Sequence, residues 1–175
     1  MSQTDPDPVE IVSAAEGDLP QIVGILNETA ANSIANFASR PTSVAQRRDW
    51  FDQFAPTGPY RCLVARRGGL VVGYACSQRY RDHEAFRETA EVSIALRADG
   101  RGRGVGTRLY RALLERLAGE PLHVLVAGIA VPNDASVALH RKFGFTEVGT
   151  FREYAVKNGR YLSSLWMQRV CSGET

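Results

Sequence analysis

The chain has 175 residues, 44% hydrophobic and 23% charged, which sets it apart from disordered and collagen-like chains and suits one domain of ordinary size. Its 21 basic and 19 acidic residues leave a net charge of +2, with no basic run that would mark a nucleic-acid arm. Cys62, Cys76 and Cys171 fit neither a disulfide framework nor a zinc site, no apolar run is long enough for a transmembrane helix, and Met1 to Pro8 is polar and acidic; a cytoplasmic protein without metal or membrane partner is expected.

Residues 9 to 170 read as one continuous domain, with 1 to 8 and 171 to 175 as flexible ends. Val9 to Ser13 alternates as a strand. Asp18 is placed to cap a helix carrying Pro20 in its first turn and Leu19, Ile22, Val23 and Leu26 on one face. Ser43-Val44-Ala45-Gln46 has the form of a capping box, so a short helix should run through Trp50 to Phe54. Tyr60 to Arg67 and Leu70 to Gln78 are apolar runs around Gly68-Gly69, which predicts an antiparallel hairpin.

Glu88 to Leu96 alternates again as a strand and feeds a glycine-rich loop, Ala98 to Gly106, which opens a helix with Val105, Leu109, Ala112 and Leu113 on one stripe. Leu122 to Ile129 is nearly all apolar and reads as a strand buried on both faces. A helix capped by Asn133 and stopped by Gly144 follows, then a hairpin, Phe145 to Val156 and Tyr161 to Val170, turned at Asn158-Gly159. The sum is an α/β fold: a mixed, mostly antiparallel sheet of six or seven strands with helices on both faces.

The loop Arg101-Gly102-Arg103-Gly104-Val105-Gly106-Thr107 lets backbone approach a ligand closely, and the helix behind it offers unpaired N–H groups to an anion; a pyrophosphate fits that description. A Walker loop requires Gly-Lys-Ser/Thr, and no lysine is present here. A dinucleotide fingerprint requires glycine three places after Gly104, where Thr107 stands.

Arg-x-x-Gly-x-Gly at Arg101, Gly104 and Gly106, behind a strand carrying Glu91, resembles the pyrophosphate loop of the GNAT acyltransferases. Thr89-Ala90-Glu91, Val126-Ala127-Gly128-Ile129, Asn133 to His140, Phe143-Gly144-Phe145 and Trp166-Met167-Gln168 are similar to the phosphinothricin and methionine sulfoximine N-acetyltransferase branch, and the resemblance covers about Ile11 to Arg169. It implies a GNAT domain with a splayed parallel strand pair, acetyl-CoA as acyl donor, a small-molecule amine as acceptor and a homodimer. By the same resemblance, Ile94, Ala95 and Leu96 would pair with the pantetheine arm, and a backbone N–H near Ala95 would polarise the thioester carbonyl. Arg101, Gly102, Arg103, Gly104, Val105, Gly106 and Thr107 would wrap the pyrophosphate, and Asn133 and Ser136 would contact the cofactor arm.

An amine must lose a proton before it attacks a thioester, so a base is required; Glu91 matches the family's Thr-x-Glu and shares a strand face with Ser93 and Ala95. Phe37, Arg79, Arg81 and Phe86 fall where relatives surround an amino acid's anionic groups, and His140 matches the family's Leu-His beside the acceptor. Two positions depart from the pattern. Ile94-Ala95-Leu96 replaces a common Val-Tyr-Val, which removes a hydroxyl that could protonate the leaving thiolate, and Tyr161-Leu162-Ser163 replaces Trp-x-Asp, which bears on whether phosphinothricin itself is accepted. A protein N-terminus or polyamine as acceptor, and a non-catalytic acyl-CoA sensor, are the competing readings.

Overall fold

In the computed structural model, which describes residues 8 to 171, alternating apolar runs build a seven-stranded sheet. In chain order the elements are β1 (Glu10–Ser13), α1 (Leu19–Asn32), α2 (Val44–Phe51), β2 (Arg61–Arg67), β3 (Leu70–Arg79), β4 (Thr89–Leu96), α3 (Val105–Leu117), β5 (Val124–Val131), α4 (Asp134–Lys142), β6 (Thr146–Lys157) and β7 (Arg160–Val170). The strand order is β1-β2-β3-β4-β5-β7-β6. Gly68 and Gly69, at φ 53° and 81°, adopt the left-handed backbone that the tight β2–β3 turn requires. The Asn158-Gly159 turn joins β6 to β7 as expected.

Only β4 and β5 run parallel, linked by the α3 crossover, and they pair over just three steps, Thr89 with Val124 to Glu91 with Val126. Beyond Glu91 they diverge: β4 stays with β3 to Leu96, while β5 stays with β7 to Val131. A wedge-shaped gap opens between their C-terminal halves. This explains a correction to β5. Its apolar sequence suggested burial on both faces, yet Gly128 is exposed and Val124 and Val126 only half-buried, and Gly128 and Ala130 line the gap.

Two apolar layers hold the sheet. On one face Leu109, Leu113 and Leu117 of α3 and Val137 of α4 pack with Leu63, Val72, Val92, Leu125 and Met167. On the other, Leu19, Ile22 and Ile25 of α1 and Phe51 of α2 pack with Val64, Val71 and Tyr74. Each such side chain contributes about 1.5 to 3 kcal/mol on full burial.

The capping box forms as expected: Gln46 N–H donates to Ser43 Oγ (3.2 Å) and Ser43 N–H to Gln46 Oε1 (2.9 Å), although α2 ends at Phe51 rather than Phe54. Asp18 does precede α1, but its carboxylate does not cap it. It accepts from Ala15 N–H and from Arg66 Nη2, each at 2.7 Å, and Pro20 removes one of the donors a cap would satisfy. The expected flexible ends lie outside the described residues except for Pro8 and Cys171, and Cys171 N–H donates to His123 O at 2.8 Å. No helix among the described residues is long and apolar enough to cross a membrane.

Candidate active site

The gap between β4 and β5 widens into a cleft of about 1070 Å³, with α3 and α4 at one end and α1 and α2 at the other. The α3 end is built from backbone. Gly104 sits at φ 72° and, having no side chain, cannot cap the helix it begins; the first intrahelical bond runs from Arg108 N to Gly104 O (3.0 Å). The N–H groups of Val105, Gly106 and Thr107 are therefore left without helical acceptors, at the positive end of the helix dipole. Arg101, Gly102, Gly104, Gly106 and Thr107 line the cleft here, whereas Val105 is buried in the core and Arg103 is exposed away from the lining. Asn133 and Ser136, with Lys142, face the same end from α4; Asn133 Oδ1 also caps that helix by accepting from Ser136 N–H at 3.2 Å.

Strand register decides which β4 backbone groups face the gap. Arg97 N–H donates to Val72 O (2.9 Å), so by the antiparallel alternation the odd-numbered residues direct N–H and C=O at β3, and Val92, Ile94 and Leu96 direct theirs at the gap. The N–H of Ala95 itself points toward Tyr74 in β3, so the amides near it that face the gap are those of Ile94 and Leu96. Leu96 O accepts from Arg101 Nη2 at 3.4 Å.

Glu91 lines the cleft with Ser93 and Ala95 on the α1–α2 side of the sheet. Burial raises its pKa, partly opposed by a hydrogen bond from the side chain of Gln78, its partner across β3–β4. Gln78 is in turn fixed by Trp50, whose Nε1–H donates to Gln78 Oε1 at 2.8 Å. Beside them, Cys76 is fully buried and pushed up to about 12, chiefly by burial and secondarily by the Glu91 charge, so it stays a thiol and offers no nucleophile.

Phe37 also reaches the cleft, on the α1–α2 connection, together with Ser33 to Asn36. That connection is tied to the β6–β7 hairpin by Lys157, 6% exposed, whose Nζ donates to Ser33 O (2.8 Å) and Asn36 O (2.6 Å). Replacing Lys157 with methionine leaves both carbonyls unpaired. It is expected to lower stability by about 1 to 3 kcal/mol in denaturant titrations.

Four expected acceptor residues lie outside the cleft lining. Arg79 pairs with Asp82 (2.7 Å) and lies over the Tyr60 ring; Arg81 stacks on Tyr80 and Phe86, and Phe86 packs with Tyr80. His140 is 3% exposed, packed between Tyr110 and Phe145, with Nδ1–H donating to Ser136 O at 2.7 Å. Burial lowers its pKa and keeps the ring neutral. Conversely, Arg47, Trp50 and Gln78 line the cleft although nothing singled them out in the sequence. Arg47 and Trp50 lie one turn apart on α2, and Gln78 stands opposite Glu91 in the β3–β4 register.

A central sheet split at the β4–β5 parallel pair, with an uncapped glycine-led helix at the mouth of the split, is the arrangement that the sequence resemblance implies, and comparison with known proteins gives the family. The chain belongs to the acetyltransferase (GNAT) family, whose sequence profile matches residues 31–145. It is 42% identical over 159 residues to the L-methionine sulfoximine/L-methionine sulfone acetyltransferase of Pseudomonas aeruginosa, covering 90% of this chain and 92% of that one. Among solved structures, the phosphinothricin acetyltransferase of Sinorhizobium meliloti in complex with acetyl-CoA superposes with a TM-score of 0.88 at 31% identity, covering 95% of this chain and 90% of that one. A ribosomal-protein-alanine N-acetyltransferase from Brucella melitensis matches with a TM-score of 0.85 at 36% identity, over 93% and 99% of the two chains.

Proposed function

We propose that the protein moves the acetyl group of acetyl-CoA to the primary amine of a small, amino-acid-like acceptor, with Glu91 as general base. The observation that carries this reading is that a half-buried carboxylate with a raised pKa faces the same cleft as Gly106 and Thr107 at the uncapped start of α3 and the open edge of β4. Acetyl-CoA supplies an activated thioester. The residues present suit it: the N–H groups of 105 to 107 and Arg101 meet the diphosphate, and the gap-facing amides of β4 meet the extended arm. An N–H of Ile94 or Leu96 then polarises the carbonyl.

Glu91 accepts, directly or through one water, the proton that the amine sheds as its nitrogen bonds to the carbonyl carbon. With alanine at position 95, the sulfur departs as the thiolate, which is acceptable for a group whose acidity is close to that of a free thiol, about 8.5. Names among the relatives support the acceptor class. The Brucella relative favours a second reading, a protein N-terminus as acceptor. Thiol release from acetyl-CoA, measured with methionine sulfoximine, phosphinothricin, spermidine and an alanine-starting peptide, tests both. The primary reading expects the first two to dominate; a preference for the peptide supports the second, and no release with any amine refutes both.

We further propose that the protein acts as a homodimer. β6 is an edge strand, and Val148, Phe151, Tyr154, Val156 and Tyr161 on its hairpin are between 48% and 68% exposed, a concentration of exposed large apolar side chains on one edge that a partner could cover. Light scattering should give twice the chain mass, and Phe151→Glu with Tyr161→Glu should give the single mass. A monomeric wild type would refute the dimer.

A further inference from the structure

The cleft lining holds three cations, Arg47, Arg101 and Lys142, and one carboxylate, Glu91. Arg101 belongs to the glycine loop and Lys142 to the end of α4, both at the helix-lined end. Arg47 is the cation at the Glu91 end. Its guanidinium lies over the Trp50 ring at 5.8 Å, the same indole donates to Gln78, and Gln78 stands across from Glu91. The Trp50 ring also meets Tyr74 edge-on at 6.1 Å, so Arg47, Trp50, Tyr74 and Gln78 form one continuous wall.

Several half-buried arginines, Arg47, Arg67 and Arg116 among them, have no carboxylate partner among the described residues, but of those three only Arg47 lines the cleft. Arg61 pairs with Glu120 and Arg66 with Asp18, whereas Arg47 has no carboxylate partner among the described residues, and its Nε is buried without a hydrogen-bond partner. A planar cation held on an aromatic face in the cleft lining, with no hydrogen bond from its Nη groups among the described residues, is the arrangement that binds a carboxylate through two parallel hydrogen bonds. The capping box that starts α2 and the edge-on contact of Trp50 with Phe54 at 4.9 Å support the wall from outside the cleft lining. Arg79 and Arg81, engaged with Asp82 and with the Tyr80 and Phe86 rings, are not in the lining.

We infer that Arg47 is the specificity-determining residue of the acceptor site: it anchors the α-carboxylate of a free amino acid so that the α-amine is presented to Glu91. The inference rests on the acetyl-transfer reading above and narrows it, since amines without a neighbouring carboxylate, including polyamines and peptide N-termini, cannot use the anchor.

The test is equilibrium binding to the protein–coenzyme A complex, read by calorimetry, with L-methionine sulfoximine and its α-carboxamide as probes. Wild type is expected to bind the acid about 10- to 100-fold more tightly than the amide, the span that a charge-assisted bidentate pair accounts for. Arg47→Gln is expected to erase that difference, and Arg47→Lys to restore part of it, with coenzyme A affinity unchanged in both as the control for folding. Equal binding of acid and amide by wild type, or an acid preference that survives in Arg47→Gln, overturns the inference. Thiol release from acetyl-CoA, measured on the same protein preparations, keeps the two claims apart. An Arg47-dependent acid preference without acetyl transfer upholds the anchor and refutes the catalytic reading; acetyl transfer without that preference does the reverse.

Discussion

Glu91→Gln is expected to lower kcat by about 10² to 10⁴-fold, the range a positioned general base contributes, while leaving coenzyme A affinity in place. Glutamine keeps the size of the side chain and can still meet Gln78 across the strand pair, so what is removed is the capacity to take a proton. The pH profile separates this from a structural effect. Burial raises the Glu91 pKa, so the acid limb of kcat/KM should bend above the ordinary glutamate value of about 4.3. In Glu91→Gln that limb should vanish. Stability should move the opposite way. A carboxyl whose pKa is raised on folding contributes most below its unfolded pKa, and that contribution is lost as pH rises through the folded pKa. At neutral pH the glutamine variant therefore escapes the cost of a half-buried charge, and its Tm should rise. Full turnover in Glu91→Gln would remove Glu91 from the mechanism.

Gly104→Val is expected to weaken coenzyme A binding by about 10- to 100-fold, since the variant should misdirect more than one charge-assisted bond. Gly104 begins α3 at φ 72°, a left-handed backbone in which a β-branched residue is strained by about 1 to 3 kcal/mol. Relief of that strain rotates the peptides of Val105 to Thr107, whose N–H groups must converge on one anion. The ligand dependence identifies the cause. Acetylpantetheine, which lacks the diphosphate, should be used almost equally by the variant and the wild type, whereas acetyl-CoA should lose its advantage. Equal losses for both donors would mean that the substitution damages the cleft generally rather than the anion site.

The elements that local chemistry specifies were legible in the sequence: the Ser43 box, the Gly68-Gly69 and Asn158-Gly159 turns, and the glycine loop before α3. So was the placement of Glu91, because strand alternation alone puts it beside Ser93 and Ala95. What depends on partners distant in sequence was not. The backbone direction at Ala95 follows from the pairing of Arg97 with Val72, which periodicity within one strand does not reveal. Arg79 and Arg81 lie at or past the end of β3, where side-chain direction is set by Asp82, Tyr80 and Phe86 rather than by the pleat. His140 sits one turn after Val137 on the face of α4 that meets the sheet, so Tyr110 and Phe145 enclose it. Arg47 escaped notice because α2 lacks a clear apolar face: of its charged side chains Arg47 alone lines the cleft, and a cleft-facing arginine leaves the same sequence pattern as a solvent-facing one.

Amide hydrogen exchange, followed residue by residue with and without coenzyme A, reports most directly on the claim beneath all of this: that the backbone of β4 and the start of α3 hold the acyl donor. Slowed exchange concentrated at Ile94, Leu96 and residues 102 to 107, with Ala95 protected in both states, is the expected result. Protection confined to other parts of the chain, or none at saturating coenzyme A, would contradict it.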